Sequence, residues 1–409
     1  MNIIIVHDYA FSEGGAAKIA FDTAKMMAAR GHRVIFFSAM PPISPDLVEH
    51  HIEVICLNQQ DILHDPNRIR AVFQGLWNFK AAHKMRKLLS SLSPNDTILH
   101  VHALQKALSS SVLHVAHKMG FPIVYHLHDY GVACPNMGFF DYPAQKICYR
   151  RAMSIDCLFR NCDSRSYPQK CWRILRQYVQ TYFGGIPRFI NSIIYISDYS
   201  MEFLRPYLPP KQRKYFLSNP LDVQKLDRVK AEIHDAFLFV GRLSPEKNPS
   251  LLARAAYELN VPVVFIGKGN KPEEEEYLRQ LNPKASFLGW VPHEQLYRYM
   301  SQARALVFPS ICGETQGLSA FEAQAYGLPV IVSNECAARE AVVDNETGIL
   351  FQNNSLSDLK RAMKQLMDDK VAKKMSYNAY ENFWDNYRDS DEYARQLERI
   401  YRETIQSNQ

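Results

Sequence analysis

Short apolar runs alternate with amphipathic segments along the first half of the chain, and this alternation constrains the fold more than any other feature. Residues 2–7 (NIIIVH) form a continuous apolar run typical of a strand buried on both faces. An alanine-rich segment with helical periodicity follows at 16–30. We predict further strands at 33–37, 52–56, 97–101, 122–127 and 193–197, and helices at 67–91 and 105–119. Such alternation predicts a doubly wound parallel sheet.

The alternation starts again in the second half, beyond the proline-rich stretch 205–235. We predict strands at 237–240, 262–266, 285–288, 305–308 and 329–332, and helices at 249–259, 273–281, 293–303 and 318–326. Because 409 residues exceed what one hydrophobic core supports, we expect an α/β protein with two Rossmann-like domains, 1–205 and 206–384, facing a central cleft. A polar C-terminal helix, 385–409, is expected to pack back on the first domain. Ligands should bind at the carboxyl ends of the strands.

Composition excludes several classes of protein. Hydrophobic residues make up 47% and charged residues 22% of the chain, which argues against disordered or fibrous architectures. No apolar run reaches the roughly 18 residues of a membrane span, and the first residues lack signal-peptide features, so we expect a cytoplasmic protein. Residues 1–210 carry 22 Lys and Arg against 15 Asp and Glu. This excess favours an anionic partner, either phosphate groups or the inner face of the membrane, and no nucleic-acid signature is seen.

The segment GETQGLSAFE, residues 313–322, follows an apolar strand and opens a predicted helix. Backbone N–H groups at a helix start can bind an anion, and Gly317 lets a ligand approach the backbone closely. Glu314 precedes the helix and Glu322 lies about one turn inside it, so both can contact one ligand at different depths. A plain capped helix start with a solvated glutamate remains an alternative.

A second polar loop, GRLSPEKN at residues 241–248, follows the predicted strand FLFV. Arg242 offers a planar fork of donors and Lys247 a compact charge, and the two together suit a diphosphate. A solvated basic turn before a helix remains the alternative.

These motifs together resemble the GT-B glycosyltransferases of the retaining group called family 4. Glu314 and Glu322 match the family's Glu-x7-Glu motif, and GRLSPEKN matches its diphosphate loop. The segments ARALVFPS, EAQAYGLPVIVSN and TGILF match its second-domain pattern. The linker LSNPLD differs, because Pro220 replaces the family's glycine. The resemblance covers nearly the whole chain and implies a GT-B fold with an acceptor-binding first domain and a donor-binding second domain.

The resemblance also implies roles for single residues. Catalytic roles fall to Glu314 on the donor sugar, to His128 beside the transferred sugar, and to Arg242 and Lys247 on the departing diphosphate. Glu322 is implied to bind the ribose and the backbone around Val291 to touch the nucleobase. The backbone at Gln316, Gly317, Leu318 and Ser319 is implied to face the sugar and phosphates, and Gly14 and Gly15 are implied to approach the diphosphate or the acceptor.

No metal cofactor is expected, because fixed cations and helix-start amides can stabilise the leaving diphosphate. The only Asp-x-Asp, Asp389-Ser390-Asp391, lies in a polar helical region and is interpreted as a helix start. His100, His102 and His126 are interpreted as core or cleft-lining residues, since only His128 matches the family.

Five of the eight cysteines lie between Cys134 and Cys171. The spacing leaves free thiols, redox pairing and a zinc site at Cys148, Cys157, Cys162 and Cys171 as alternatives. Basic and aromatic residues then alternate in the segment 172–178, which suits either a membrane surface or an amphipathic helix packed on its own domain.

The sequence thus predicts a retaining glycosyltransferase that moves a hexosyl group from a UDP- or GDP-linked sugar to a saccharide or lipid-linked saccharide, as in the synthesis of lipopolysaccharide, capsule or exopolysaccharide. A sugar phosphorylase and a non-catalytic nucleotide-sugar-binding protein of the same fold remain alternatives. A nicotinamide-dependent oxidoreductase is disfavoured, because neither glycine-containing turn completes G-x-G-x-x-G.

Overall fold

The chain divides into two α/β units. The computed structural model describes residues 1–12, 14–269 and 271–408, so that Glu13, Asn270 and Gln409, which the predicted domain ranges include, lie outside the described residues. The first unit comprises 1–138, 149–220 and 388–409, and the second comprises 139–148 and 221–387. The predicted boundary after residue 205 therefore lies too early, because a strand at Arg213–Phe216 still pairs with the first sheet.

The first unit contains a seven-stranded parallel sheet. Its strands are β1 (Asn2–Val6), β2 (Arg33–Ser38), β3 (Glu53–Cys56), β4 (Thr97–Val101), β5 (Ile123–Leu127), β8 (Ser192–Tyr195) and β9 (Arg213–Phe216). They lie in the order β3-β2-β1-β4-β5-β8-β9. A separate antiparallel hairpin is formed by β6 (Phe140–Asp141) and β7 (Lys146–Ile147). The six strands predicted in this half of the sequence correspond to β1, β2, β3, β4, β5 and β8.

Helices cover both faces of this sheet, as the doubly wound pattern predicts. They are α1 (Gly14–Ala29), α2 (Pro45–Glu49), α3 (Arg68–Leu76), α4 (Phe79–Leu89), α5 (Ser111–Lys118), α6 (Ile155–Phe159), α7 (Tyr167–Tyr182) and α8 (Asp198–Leu204). The helical stretch predicted at 67–91 consists of two helices, α3 and α4. Asn67 and Asn78 each accept a hydrogen bond from a backbone N–H three residues on, so each caps its own helix.

The second unit contains a six-stranded parallel sheet in the order β12-β11-β10-β13-β14-β15. The strands are β10 (Phe237–Val240), β11 (Val263–Ile266), β12 (Ser286–Gly289), β13 (Ala305–Phe308), β14 (Val330–Ser333) and β15 (Gly348–Phe351). The helices are α9 (Pro249–Leu259), α10 (Pro272–Leu281), α11 (His293–Met300), α12 (Leu318–Ala325), α13 (Leu356–Leu366) and α14 (Asp369–Asn386). The five predicted strands and four predicted helices correspond to elements of this sheet and its two helical layers.

The C-terminal helix α15 (Ser390–Gln406) belongs to the first unit. The apolar face of α15 packs into the core of that unit. The residues of α15 in this core include Tyr393, Leu397, Ile400 and Tyr401. Asp389 caps the helix by accepting a hydrogen bond from Glu392 N at 2.8 Å, which confirms the interpretation of Asp389-Ser390-Asp391 as a helix start. Across the described residues, every helix falls short of the length or the hydropathy required to cross a bilayer.

Candidate functional site

The candidate site in the second unit centres on the start of α12. The chain leaves β13, passes through residues 309–316 and enters the helix at Gly317, whose φ of 84° is left-handed. A Cβ atom at this position would lie 2.6 Å from Ala338 Cβ, so a larger residue fits neither the backbone nor the space. The glycine therefore positions the first turn of the helix, where Leu318 and Ser319 are half-buried and Gln316 precedes them in a buried position.

Glu314 forms an ion pair with Lys247 at this helix start. The same oxygen, Glu314 Oε1, accepts a hydrogen bond from Ser310 Oγ at 3.0 Å and faces Cys312 Sγ at 3.6 Å. Both charged side chains are largely buried, with 16% of Glu314 and 20% of Lys247 exposed. The pair thus holds an ionised carboxylate and an ammonium inside the second unit.

The electrostatics of the pair favour the charged forms. Burial alone would raise the pKa of Glu314, but the Lys247 ammonium and the hydrogen bonds outweigh burial and leave the pKa below its ordinary value of 4.5. Burial likewise opposes the charge on Lys247, and Glu314 reverses this and raises the lysine pKa above 10.5. Burial raises the pKa of Cys312 to about 12, so its thiol stays protonated.

The order of strands in the second sheet brings the segment 241–248 close to the segment 313–322. β10 and β13 are parallel neighbours, so the loops that leave their carboxyl ends are adjacent. The loop after β10 places Lys247 at the end of a short 3-10 turn, and the loop after β13 bonds to it through Ile311 N and Glu246 O at 3.0 Å. Arg242 lies in the same loop but is 60% exposed, with its guanidinium 3.5 Å from Glu246. Arg242 is therefore an exposed cation in the same loop as the largely buried Lys247.

Glu322 lies one turn inside α12 and is 8% exposed. Its Oε1 is 2.9 Å from His293 Nε2, the first residue of α11. Sequence reasoning did not identify His293. The only signal was its position just after Gly289-Trp290 and Val291, the segment predicted to touch the nucleobase. Val291 itself is half-buried.

The predicted site residues of the first unit lie on separate elements. Gly14 and Gly15 begin α1 in exposed positions, and a Cβ on either would meet no atom within 4 Å. His128 follows β5, and its Nε2 lies 2.9 Å from His102 Nδ1. Burial and the neighbouring His126 lower the pKa of His128 well below its usual value, so the ring is neutral at pH 7. The donor and sugar contacts of these three residues stay predictions.

The zinc alternative at Cys148, Cys157, Cys162 and Cys171 stays a prediction, and the positions of these thiols do not favour it. Within the described ranges, only His100, His102 and His126 bring three candidate ligand atoms within 4.8 Å of one another. Cys171 is exposed while the other three are buried. Lys170 is fully buried beside the thiols, with Nζ 3.1 Å from Cys162 Sγ and 3.8 Å from Cys157 Sγ. The Lys170 ammonium thus contacts two of the four thiols.

The arginines of α7 face the protein interior rather than solvent. Arg176 is buried and donates to the backbone oxygens of Gln105 and Pro135. Burial lowers the pKa of Arg176 to about 10. Arg173 is bound by Asp163, at 3.1 Å. An amphipathic helix packed on its own unit therefore describes these two arginines, and the exposed face of α7 is aromatic.

Two parallel-sheet α/β units, with a basic loop and a glutamate-bearing helix start at adjacent strand ends, define a protein of the GT-B class. The chain belongs to glycosyltransferase family 4. A family model described as Glycosyltransferase Family 4 matches residues 13–225, and one described as Glycosyl transferases group 1 matches residues 224–382.

Relatives of known name support this family. The chain is 34% identical over 145 residues to a D-inositol 3-phosphate glycosyltransferase of Corynebacterium aurimucosum, covering 32% of this chain and 34% of the relative. It is 34% identical over 154 residues to a UDP-Gal:alpha-D-GlcNAc-diphosphoundecaprenol alpha-1,3-galactosyltransferase of Escherichia coli, and the match covers 35% of this chain and 39% of that relative. The matched segments thus span about a third of these curated relatives. The fold is similar to that of sucrose-phosphate synthase from Thermosynechococcus elongatus, with a TM-score of 0.73, 20% identity and 99% of each chain covered.

Proposed function

We propose that the protein is a retaining glycosyltransferase that transfers a hexosyl group from a nucleoside diphosphate sugar to a saccharide or lipid-linked saccharide acceptor. The observation that carries this proposal is the Lys247–Glu314 ion pair at the start of α12, with Glu322 one turn further in. Family membership supports the reaction class. The E. coli relative, whose name specifies UDP-Gal and a diphosphoundecaprenol-linked acceptor, supports a role in surface polysaccharide synthesis.

The arrangement suits the charge changes of sugar transfer. The bond between the anomeric carbon and the diphosphate oxygen breaks, and its electron pair leaves on the diphosphate. The acceptor hydroxyl oxygen bonds to the anomeric carbon, and its proton leaves to the diphosphate or to water. Lys247, Arg242 and the helix-start amides stabilise the departing negative charge without reorganising. No cofactor is needed for this step.

The two glutamates act on different parts of the donor. The ionised carboxylate of Glu314 accepts hydrogen bonds from sugar hydroxyls, and Lys247 keeps it ionised before the donor arrives. Glu322 binds the ribose hydroxyls, and its bond to His293 fixes the carboxylate near the segment that contacts the nucleobase at Val291. Gln316, Gly317, Leu318 and Ser319 present backbone to the sugar and phosphates.

The test is a panel of UDP- and GDP-linked hexoses assayed for transfer and for slow donor hydrolysis, alongside calorimetric binding of UDP, GDP and NAD. We expect one nucleoside diphosphate to bind and one of its sugars to be hydrolysed with release of the α-configured sugar. Binding of NAD without binding of either diphosphate would refute the proposal. Turnover only with inorganic phosphate as acceptor would assign the chain as a sugar phosphorylase.

We also propose that the protein acts in the cytoplasm and associates peripherally with the inner face of the membrane. Residues 1–210 carry the basic excess, and apolar and aromatic side chains are exposed at Leu175, Tyr178 and Tyr182 of α7 and at Phe183 directly after it. Sedimentation with anionic vesicles should fall as salt rises and should fall in the Phe183→Ser variant. The control is Tyr277→Ser, which removes an equally exposed aromatic of the second unit. Equal sedimentation with neutral vesicles contradicts the proposal.

A further inference from the structure

Three buried histidines meet on neighbouring strands of the first unit. β4 and β5 are parallel partners, and residues two apart along an extended chain share one face, so His100 of β4 and His102, the residue directly after β4, lie beside His126 of β5. The ring centroids are 4.1 Å apart for His100 and His102, 5.4 Å for His100 and His126, and 5.2 Å for His102 and His126. One nitrogen from each ring lies within 4.8 Å of the others.

The cluster has unused hydrogen-bonding capacity. His100 and His126 are 0% exposed and His102 is 2% exposed. Among the described residues, no hydrogen-bond partner exists for His100 Nε2, His102 Nε2 or either nitrogen of His126. Buried polar atoms in folded proteins are nearly always hydrogen-bonded. Four unpartnered ring nitrogens in one place therefore indicate a ligand that accepts nitrogen lone pairs.

Two ring nitrogens of the cluster bond to residues outside it. His100 Nδ1 lies 2.6 Å from the hydroxyl of Tyr401 on α15, and His102 Nδ1 lies 2.9 Å from His128 Nε2. When Nδ1 donates its proton to these partners, the Nε2 atoms of His100 and His102 each keep a lone pair that no hydrogen bond uses. Metal-binding histidines are held in this way, with the second ring nitrogen bonded to an outer partner.

We propose that His100, His102 and His126 bind one divalent transition-metal ion, with zinc as the best-fitting ion. Imidazole nitrogens suit zinc, cobalt, nickel and copper, and three such ligands leave one position of a four-coordinate ion for water. All three rings are buried, and the neutral imidazole is the form that binds a metal. Bound there, the ion joins β4 to β5 and, through Tyr401, to α15. It stabilises the first unit, whereas the candidate donor residues around Glu314 lie in the second.

The test uses untagged full-length protein, stripped with chelator and then titrated with Co²⁺ and Zn²⁺. We expect the visible absorption of four-coordinate Co²⁺, one ion per chain by elemental analysis after desalting, and a Tm that rises with Zn²⁺. His126→Gln should abolish all three responses. Tyr401→Phe keeps the ring packing and removes the outer hydrogen bond, so Co²⁺ should bind about 10- to 100-fold more weakly. His83→Gln is the control, because it removes an exposed histidine of the same unit.

The proposal is overturned if stripped wild-type protein takes up less than one ion per chain, or if His126→Gln and Tyr401→Phe bind Co²⁺ as tightly as the wild type. If His126→Gln does not fold, Tyr401→Phe decides between these outcomes. Nucleoside diphosphate affinity should be the same in the stripped and metal-loaded protein. This last readout separates failure of the metal site from failure of the proposed transferase function.

Discussion

Replacing Glu314 by Gln is the sharpest test of the site in the second unit. The change keeps the shape of the side chain but leaves the Lys247 ammonium without its carboxylate. Removing one member of a buried ion pair costs about 3–5 kcal/mol. Because 16% of Glu314 and 20% of Lys247 remain exposed, solvent offsets part of this, and we expect a loss of about 2–3 kcal/mol in the free energy of unfolding. For a unit of this size, that corresponds to a fall in Tm of roughly 5–10 °C.

The stability difference should depend on pH in a defined direction. The pKa of Glu314 is depressed below 4.5 in the folded protein, so its stabilisation is complete above that value and is lost as pH falls through the folded pKa. The gap in Tm between wild type and Glu314→Gln should therefore stay constant from neutral pH to about pH 5 and close below pH 4.5. Glu258→Gln is the matched control, since it breaks an exposed ion pair with Lys360 and should change Tm little.

Turnover separates a catalytic role from a structural one. If the carboxylate contacts the sugar more strongly in the transition state, Glu314→Gln should lower kcat about 10²-fold, equivalent to roughly 2–3 kcal/mol, while UDP or GDP still binds. The double variant with Lys247→Met removes the unpaired charge, so it should regain stability but not activity. The assays are differential scanning calorimetry and single-turnover donor cleavage below every Tm. Wild-type turnover by Glu314→Gln would refute the assignment.

Three further predictions concern the same helix start. Glu322→Ala should weaken nucleotide binding about 10- to 100-fold by calorimetry with a modest change in kcat, because its ribose contact is similar in the ground and transition states; unchanged affinity contradicts this. Gly317→Ala should destabilise the protein by about 1–3 kcal/mol in urea denaturation, because its φ is 84° and its Cβ would meet Ala338, whereas Gly15→Ala, with open space around it, should be near neutral. Transfer should persist in excess EDTA at a temperature where the protein stays folded, since the cations and amides of the site stabilise the diphosphate; a loss that only Mg²⁺ or Mn²⁺ restores would contradict this.

Most of the sheet framework could be predicted from the sequence, because central strands of a parallel sheet are buried on both faces and read as continuous apolar runs. The edge strand β9 could not. Its sequence, RKYF, places exposed residues at both ends, and it lies in a proline-rich stretch that resembles a linker. The same stretch led to a domain boundary that lies too early. A proline-rich segment alone does not show whether the chain adds one more strand to the first sheet before it enters the second unit.

The site shows a similar division. Local motifs identified Glu314 and Lys247 separately, but their pairing depends on the adjacency of β10 and β13, which are far apart in sequence. His293 carries no local signal, because its role arises from where α11 begins relative to α12. The sequence likewise could not predict that the Arg176 side chain faces the interior. An amphipathic helix has the same residue pattern whether its arginines face lipid or buried carbonyl oxygens.

The return of α15 to the first unit has a consequence for how the protein is made. Phe21 and Phe36 of that unit belong to the same hydrophobic core as Leu397 and Tyr401 of α15. During synthesis, the whole of the second unit therefore leaves the ribosome before α15. At that stage the core of the first unit still lacks the side chains that α15 contributes. A fragment ending at residue 220 has the same defect and should aggregate, whereas one covering 221–387 retains its own core. The half of the protein that is translated first is the half that finishes folding last.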